Sequence, residues 1–243
     1  MRKVTLIMAY YINSTMLHKQ LEHMAGYPQD IKNNLEVIIV DDCSPQNPAK
    51  IHRDIGCRVR LYRTEVDVRW NQDFCRNLAA SKAENNWLLL TDIDHMIPAE
   101  TLKVVMTAGD LAENSAYKFS RATMPLLAPY KPHPNSWFLS KRLYSDVGGY
   151  DERLAGYYGT DGDFVKRLTY KALSQGGEVR ILPSVIWRVP REYIPDASTT
   201  TLERKSEADK QAIKRIINQR GDMSTKTLTY PYKFIYDSAQ VKL

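Results

Sequence analysis

Two apolar segments of this 243-residue chain end in aspartates: VIIV is followed by Asp41 and Asp42, and LLLTDID contains Asp92 and Asp94. Ligands of open α/β sheets bind beyond the carboxyl ends of parallel strands, so the two pairs are expected to meet in one crevice. Strand alternation sends Asp92 and Asp94 the same way and Ile93 back into the sheet. Such carboxylates suit Mg²⁺ or Mn²⁺ that also holds phosphates. A single DxD is short and common, and solvated aspartates at a strand end remain the alternative.

A second polar cluster follows later in the chain. It consists of GGYDE, over Gly148–Glu152, and GYYGTDGDF, over Gly156–Phe164. The glycines allow tight turns and a close approach of the backbone. Asp161 stands where a helix is predicted to begin, and an N-cap role would explain it. That role does not explain the glycines and tyrosines just before it, so this segment is a second candidate for the site.

The first 92 residues alternate between strand-like and helix-like patterns. A helix is predicted after Asn13 or Ser14, with Leu17, Leu21 and Met24 on one face, and another over Asp73–Ala83. Four strands are predicted, at Val4–Ala9, Glu36–Asp41, Arg58–Tyr62 and Trp87–Asp92. This alternation indicates parallel βαβ units.

The rest of the chain is less regular. Strands are predicted at Ala116–Ala122, Glu178–Leu182 and Val185–Val189, with a proline-rich loop at Pro125–Pro134. A basic helix is predicted over Thr201–Arg220, ended by Gly221 and followed by an aromatic segment, Leu228–Tyr236. We therefore expect a domain over residues 1–195, with halves 1–95 and 96–195, and an appendage over 196–243.

The composition excludes several classes of protein. The net charge is +6 and the pI about 9.1, which fits either a polyanionic partner or an ordinary basic surface. No apolar run is long enough to span a bilayer, and no signal peptide is predicted at the N-terminus. Three cysteines without CxxC spacing suit a reducing compartment, so we expect a cytoplasmic protein. Neither GxGxxG nor a P-loop occurs, which argues against dinucleotide and P-loop sites.

The ordered set of motifs resembles a known family. VTLIMAYYIN, EVIIVDDCS, the stretch Asn71–Asn77 with RNLA, LLLTDID, and GGYDE followed by YGTDGDFVKRL are similar to the motifs of GT-A-fold glycosyltransferases of the family 2 type. They also share features with the C-terminal region of β-1,4-galactosyltransferases. The resemblance implies an α/β fold with a mostly parallel, Rossmann-like central sheet flanked by helices. The basic helix would be a C-terminal extension.

The resemblance also implies a reaction. The enzyme would move a sugar from a nucleotide-diphosphate sugar, with UDP-sugars favoured, to an acceptor hydroxyl with inversion, and Asp161 would be the general base. Asp94 and Asp92 would hold Mn²⁺ or Mg²⁺, with His95 as a further ligand. The implied nucleotide-sugar-binding residues are Ala9, Tyr10, Tyr11, Asp41, Asp42, Asn71, Arg76, Asp92, Ile93 and Asp94. The implied acceptor or sugar contacts are Trp137, Tyr157, Tyr158, Thr160 and Asp163.

Two departures from the family pattern matter. Thr160 stands where the family has a glutamate before the base. Many relatives have a late histidine as a third metal ligand, but this chain has none after His133, and Arg188 is the residue at the corresponding strand. An arginine there would place a fixed positive charge near the phosphates, so we expect metal dependence to be weak.

Three functions stay open. The acceptor could be a glycan or small molecule. It could also be a hydroxylated base of DNA, as with some viral enzymes, because the chain is basic. An inactive module that only binds sugar nucleotides is the third, since Thr160 and the missing histidine break the pattern.

Overall fold

The computed structural model describes residues 1–46, 54–124, 128–197, 207–220, 225 and 227–240. Its strands are β1 (Val4–Tyr10), β2 (Leu35–Asp41), β3 (Arg58–Thr64), β4 (Trp87–Asp92), β5 (His95–Met96), β6 (Ala116–Thr123), β7 (Pro129–Tyr130), β8 (Trp137–Ser140), β9 (Val179–Arg188) and β10 (Tyr232–Asp237). Its α-helices are α1 (Ser14–Ala25), α2 (Gln29–Lys32), α3 (Gln72–Lys82), α4 (Ala99–Thr107), α5 (Lys141–Val147), α6 (Asp161–Ser174) and α7 (Glu207–Arg220).

The described strands form one sheet in the order β10-β3-β2-β1-β4-β8-β6-β9-β5, with β7 beside β6. Helices cover both faces of this sheet. Apolar residues of α1 and α4 pack on one face, and those of α3, α5 and α6 pack on the other. The α/β architecture with flanking helices is therefore as predicted.

The prediction of a mostly parallel sheet holds only in part. The pairs β3-β2, β2-β1, β1-β4 and β6-β9 are parallel. The pairs β4-β8, β8-β6, β6-β7, β9-β5 and β10-β3 are antiparallel. Parallel neighbours need long crossovers, which α1 and α3 supply in the first half. The second half lacks that regular alternation of strand and helix, and its strands pair in mixed directions.

The two strands predicted at Glu178–Leu182 and Val185–Val189 are one strand, β9. Its register against β6 shifts between Phe119 and Ser120, because two extra residues of β9 lie opposite that point. Pro183 is one of them, a position where a missing N–H costs no ladder bond. The break in the sequence pattern between the two predicted strands therefore marks a β-bulge within one strand, and not a turn between two strands.

The C-terminal segment joins the main body. Helix α7 ends at Arg220, and β10 adds an antiparallel strand to the edge of the sheet beside β3. The aromatic segment thus contributes Tyr232 and Phe234 around Tyr62. The start of the predicted basic helix (201–206), Gly221 and residues 125–127 of the proline-rich loop lie outside the described residues. None of the helices in the described part of the chain has the length and apolar character that crossing a bilayer requires.

Candidate active site

A cavity of about 400 Å³ opens at the carboxyl ends of β1, β2 and β4. It lies where the sequence places its acidic pairs, as expected for the carboxyl edge of a parallel sheet. The lining comes from the end of β1, from Asp42, from the segment before α3 and from the end of β4: Ala9, Tyr10, Tyr11, Asn13, Asp42, Asp67, Val68, Arg69, Trp70, Asn71, Gln72, Asp92, Ile93 and Asp94.

The two aspartates after β2 differ in what they contact. Asp41 is fully buried and is held by Arg63 and by the backbone N–H of Ser44, so it stabilises the strand end and does not line the cavity. Asp42 lines the cavity and accepts a hydrogen bond from the backbone N–H of Asn71 at 3.2 Å. Of the two predicted nucleotide contacts, the structure brings only Asp42 to the cavity, where burial raises its pKa to about 7.

Arg76 connects the two acidic clusters predicted from the sequence. Its side chain is 1% exposed, it forms a salt bridge with Asp92, and its Nη1 lies 3.7 Å from Oδ1 of Asp161. The β4 carboxylate and the predicted base therefore border one site, although 69 positions separate them in the chain. An opposite charge at this distance favours the ionised form of a carboxylate.

The GGYDE motif builds the support for Arg76. Gly148 ends α5 in a left-handed conformation, with φ of 78°. A Cβ at Gly149 would collide with the side chain of Asn77, which instead accepts a hydrogen bond from the Tyr150 N–H at 2.8 Å. The Tyr150 ring then lies 5.0 Å from the Arg76 guanidinium, a cation–π contact. The glycines are needed because the backbone passes directly over α3.

Two residues outside the predicted nucleotide-sugar and metal sets hold Asp92. His133 Nε2 lies 3.4 Å from one carboxylate oxygen, and Asn135 donates to the same oxygen at 3.2 Å. Both lie in the loop before β8. Because β8 pairs antiparallel with β4, the start of β8 and the loop before it lie next to the end of β4. No local spacing signals this contact, because it depends on strand pairing across 40 residues.

Asp94 is held from the other side. His95 Nδ1 lies 2.7 Å from its carboxylate, and β5 pairs with β9 so that His95 stands opposite Arg188. Burial alone would raise the pKa of Asp94, but the hydrogen bond with His95 and the nearby charges outweigh it and lower that pKa. Arg188 contributes to this effect, so its charge acts on Asp94, and its role near phosphates stays a prediction.

Asp161 lies in the first turn of α6, and the N-cap residue is Thr160. Its side chain is 21% exposed and accepts a hydrogen bond from Gln72 at 3.1 Å. Burial raises the pKa of Asp161, the charge of Arg76 opposes this, and the net direction is upward. A carboxyl group with a raised pKa is suited to accept a proton near neutral pH.

Several buried polar atoms around the cavity lack a hydrogen-bond partner among the described residues. They include both side-chain amide atoms of Asn71, which lines the cavity, and nitrogens of Arg76 (Nε and Nη1) and His95 (Nε2), which are bonded to the lining residues Asp92 and Asp94. Buried polar groups are nearly always paired, so such a concentration at one cavity indicates groups that a ligand or water completes.

The predicted acceptor contacts divide into two sets. Tyr157 and Tyr158 are half-buried in the loop before α6, and Thr160 is buried beneath it with its hydroxyl 3.3 Å from Asp73. Trp137 and Asp163 are corrections to the prediction. Trp137 is 1% exposed in the core, where packing explains it.

Asp163 does not face the cavity. It accepts hydrogen bonds from Arg167 at 2.8 Å and from Arg220 at 2.7 Å. This aspartate ties α6 to α7. Asp163 lies two residues after Asp161 in the first turn of α6, and residues two apart do not share a helix face, which accounts for the difference from the prediction.

The residues present fit one kind of metal site. No three His, Cys, Asp or Glu side chains within the described residues converge as a protein cage. Mg²⁺ and Mn²⁺ need only one or two carboxylates when phosphates supply other ligands. Asp92 and Asp94 both line the cavity with side chains 28% and 23% exposed. His95 is bonded to Asp94, so it orients that carboxylate.

The chain is similar to several solved glycosyltransferase structures. S. aureus TarS 1–349 in complex with UDP-GlcNAc is 17% identical with a TM-score of 0.66, over 88% of this chain and 65% of that one. S. aureus TarS is 18% identical with a TM-score of 0.62, over 91% and 44%. GalNAc-T7 with UDP, GalNAc and Mn²⁺ is 13% identical with a TM-score of 0.62, over 78% and 44%. The chain spans less than two thirds of each of these three, and at these identities the likeness establishes the fold.

No protein of curated function matches the sequence. Residues 5–123 match the family model described as Glycosyl transferase family 2. That segment contains β1 to β4, Arg76 and the DxD. The predicted features of β-1,4-galactosyltransferases stay a prediction. The family match over residues 5–123, just under half of the chain, and the fold shared with the structural neighbours make this chain similar to the family 2 glycosyltransferases.

Proposed function

We propose that this chain transfers a sugar from a UDP-sugar to an acceptor hydroxyl with inversion at the anomeric carbon. The observation that carries the proposal is the position of Arg76, buried in contact with Asp92 and 3.7 Å from Asp161. Because of it, a donor held at the end of β4 would lie next to a base at the start of α6, and Gln72, which lines the cavity, donates to that base. The sugar would lie between them.

The donor would bind along the sheet edge. Tyr10, Tyr11 and Asp42 border the part of the cavity nearest β1 and β2, where the nucleoside fits. Asn71 and Arg76 offer unpaired polar atoms toward the phosphates and sugar. Neighbours of the same fold were solved with UDP-GlcNAc or with UDP and GalNAc, which supports a UDP-sugar as the donor.

The transfer is a single displacement. Asp161 would accept the proton of the acceptor hydroxyl while that oxygen attacks the anomeric carbon from the face opposite the leaving group. The bond from the anomeric carbon to the diphosphate oxygen breaks, and UDP leaves with the electron pair. Mn²⁺ or Mg²⁺ at Asp92 and Asp94, when bound, neutralises the charge that develops on the diphosphate. Arg76 adds a fixed positive charge beside the same carboxylates.

Thermal unfolding with UDP-, GDP- and dTDP-sugars tests the donor class. A ligand at 100 times its Kd adds about 2.7 kcal/mol to the free energy of unfolding. UDP-sugars should raise the Tm, and purified protein should then release UDP from them. Asp94→Ala should reduce the shift, and the exposed Asp110→Ala is the matched control. Binding without any release of UDP would favour the inactive sugar-nucleotide module.

DNA as acceptor stays a prediction. The described part of α7 exposes Lys214 and Arg215, which could follow a phosphate backbone. Affinity for duplex DNA would then fall steeply between 50 and 200 mM salt. Absence of a gel shift at 50 mM salt would remove this acceptor and leave the donor chemistry intact.

A further inference from the structure

Trp70 is an exception to the local backbone rules. It is the second-to-last residue of the segment 65–71 between β3 and α3, and its φ is 56°, in the left-handed region. Bulky side chains rarely adopt this conformation because it costs free energy. Strain of this kind persists where the surrounding structure fixes it, and it is concentrated at ligand sites.

The strained backbone places the indole at the cavity. Trp70 lines the cavity together with Asn71. The indole Nε1 is buried and has no acceptor among the described residues, and both amide atoms of the fully buried Asn71 are also unpartnered. An indole N–H is a donor only, so its partner must be an acceptor. The adjacent orphaned groups indicate that a polar ligand completes them.

The segment 65–71 spans the cavity, and its two ends face different parts of it. Near its start, Asp67 accepts a hydrogen bond from the hydroxyl of Tyr11 at 3.3 Å, on the side assigned to the nucleoside. At its end, the Trp70 ring lies 4.9 Å from the Tyr158 ring at an interplanar angle of 60°. Tyr158 is three residues before Asp161, and Gln72 donates to Asp161. Trp70 therefore stands on the side of the predicted base.

We propose that Trp70 is a substrate-binding residue that recognises the transferred sugar of the donor. Its ring packs against the pyranose, and its Nε1–H donates to a sugar hydroxyl. This inference rests on the proposed function, because the sugar must lie between the diphosphate at Asp94 and the acceptor hydroxyl at Asp161. Asp67 and Tyr11 close the nucleoside end of the same cavity, so the indole contacts the sugar and not the nucleoside.

The chemistry of the ring suits this ligand. An indole presents a broad apolar face with one donor at its edge, and the faces of a pyranose carry C–H groups with hydroxyls at the rim. Sites of this type combine an apolar surface with a few oriented polar groups. Tyr158 supports the ring from its edge, so the indole is held before the ligand arrives.

Trp70→Phe separates the hydrogen bond from the stacking. Calorimetry gives the Kd values for UDP, UDP-GlcNAc, UDP-glucose and UDP-galactose. The ratio of the Kd of each UDP-sugar to the Kd of UDP measures the contribution of the sugar to binding. Trp70→Phe should weaken the UDP-sugar that wild type binds best by about 3- to 10-fold, the worth of one hydrogen bond. Trp70→Ala should weaken it further. Neither variant should change the affinity for UDP.

Trp187→Phe is the matched control, since Trp187 is also half-buried but packs against His23 outside the cavity. Equal losses for UDP and the UDP-sugar would place Trp70 on the nucleoside and overturn the inference. Unchanged affinity for the UDP-sugar would overturn it as well. If wild type binds UDP but Trp70→Phe behaves as wild type, only this inference fails. If wild type binds neither UDP nor a UDP-sugar, the proposed function fails with it.

Discussion

Two buried arginines on the same side of the sheet contrast in their bonding. Arg167 on α6 is 2% exposed and Arg76 on α3 is 1% exposed. Arg167 donates from Nε to Asp163 at 2.8 Å and from Nη1 to the carbonyls of Val147 and Gly149 at 2.9 and 2.7 Å. Its Nη2 alone has no partner among the described residues, and its three bonds join α6 to the end of α5, so this guanidinium stabilises the fold.

Arg76 has far fewer bonds. It donates to Asp92, while its Nε and Nη1 have no hydrogen-bond partner among the described residues. A buried donor without a partner is destabilising, by about 1–3 kcal/mol. A chain selected only for stability would provide hydrogen-bond acceptors for these two nitrogens. The difference between the two arginines therefore separates a structural charge from one kept available for a ligand.

Replacing each arginine by methionine tests this contrast directly. Arg167→Met leaves Asp163 buried with one partner fewer. We expect the free energy of unfolding to fall by about 3 kcal/mol. This is the lower end of the range for a broken buried ion pair, because Arg220 still pairs with Asp163. Arg76→Met should cost less than about 1.5 kcal/mol, since Asp92 keeps His133 and Asn135, and Asp161 keeps Gln72. Urea unfolding measures both. An equal loss in the two variants would contradict the contrast.

Asp161 gives the next largest effect, on turnover. Asp161→Asn keeps the size of the side chain and removes the base, so UDP release with acceptor should fall by at least about 100-fold with the Kd for UDP little changed. Asp110→Asn is a control at an exposed carboxylate. Because burial raises the pKa of Asp161, wild-type turnover should decline with falling pH earlier than for an ordinary aspartate. Near-normal turnover in Asp161→Asn would show that another group is the base.

The sequence was sufficient for the parts of the site that depend on local pattern. Apolar runs ending in aspartates predicted β2 and β4 and the cavity at their ends, and the glycines of GGYDE predicted a close backbone approach. These are features that strand period and turn chemistry encode within a few residues. The juxtaposition of Asp92 with Asp161, 69 positions apart, was implied only by the resemblance to glycosyltransferases.

The remainder depends on pairing between distant segments. His133 and Asn135 reach Asp92 only because β8 runs antiparallel to β4, a direction that no local pattern specifies. Asp41 and Asp42 are adjacent and chemically identical, and only the structure shows that Asp42 lines the cavity while Arg63 and Ser44 hold Asp41. Trp137, which the resemblance implied as an acceptor or sugar contact, is buried because β6 and β4 flank its strand.

Asp73 sharpens the contrast because it is a buried carboxyl without an arginine bonded to it. It is 1% exposed, Thr160 donates to one oxygen at 3.3 Å, and the other has no partner among the described residues. Burial raises its pKa to about 8, so its neutral form is the one the fold favours. The resulting stability is present below pH 4 and is lost as the pH rises toward 8.

Asp73→Asn should remove this loss. At pH 9 the variant should be more stable than wild type by at least about 1.4 kcal/mol, the worth of one pKa unit. At pH 4 the two should be nearly equal. Urea unfolding from pH 4 to 9 measures the difference. Asp42, with its pKa of about 7, also makes the free energy of unfolding depend on pH, and that dependence should persist in both proteins. Parallel pH profiles for the two proteins would mean that Asp73 is ionised throughout.

A third arginine extends the comparison to the metal. Arg188 on β9 stands opposite His95, and its charge helps to lower the pKa of Asp94. A fixed positive charge there should replace part of what a divalent cation supplies, so EDTA should reduce turnover by less than about tenfold, or 1.4 kcal/mol. Arg188→Gln should make turnover more sensitive to EDTA. Arg180→Gln, on the same strand but paired with Asp110, should not. If wild-type turnover is lost completely in EDTA and restored by low Mn²⁺, Arg188 has no such role. The cation alone would then neutralise the phosphates.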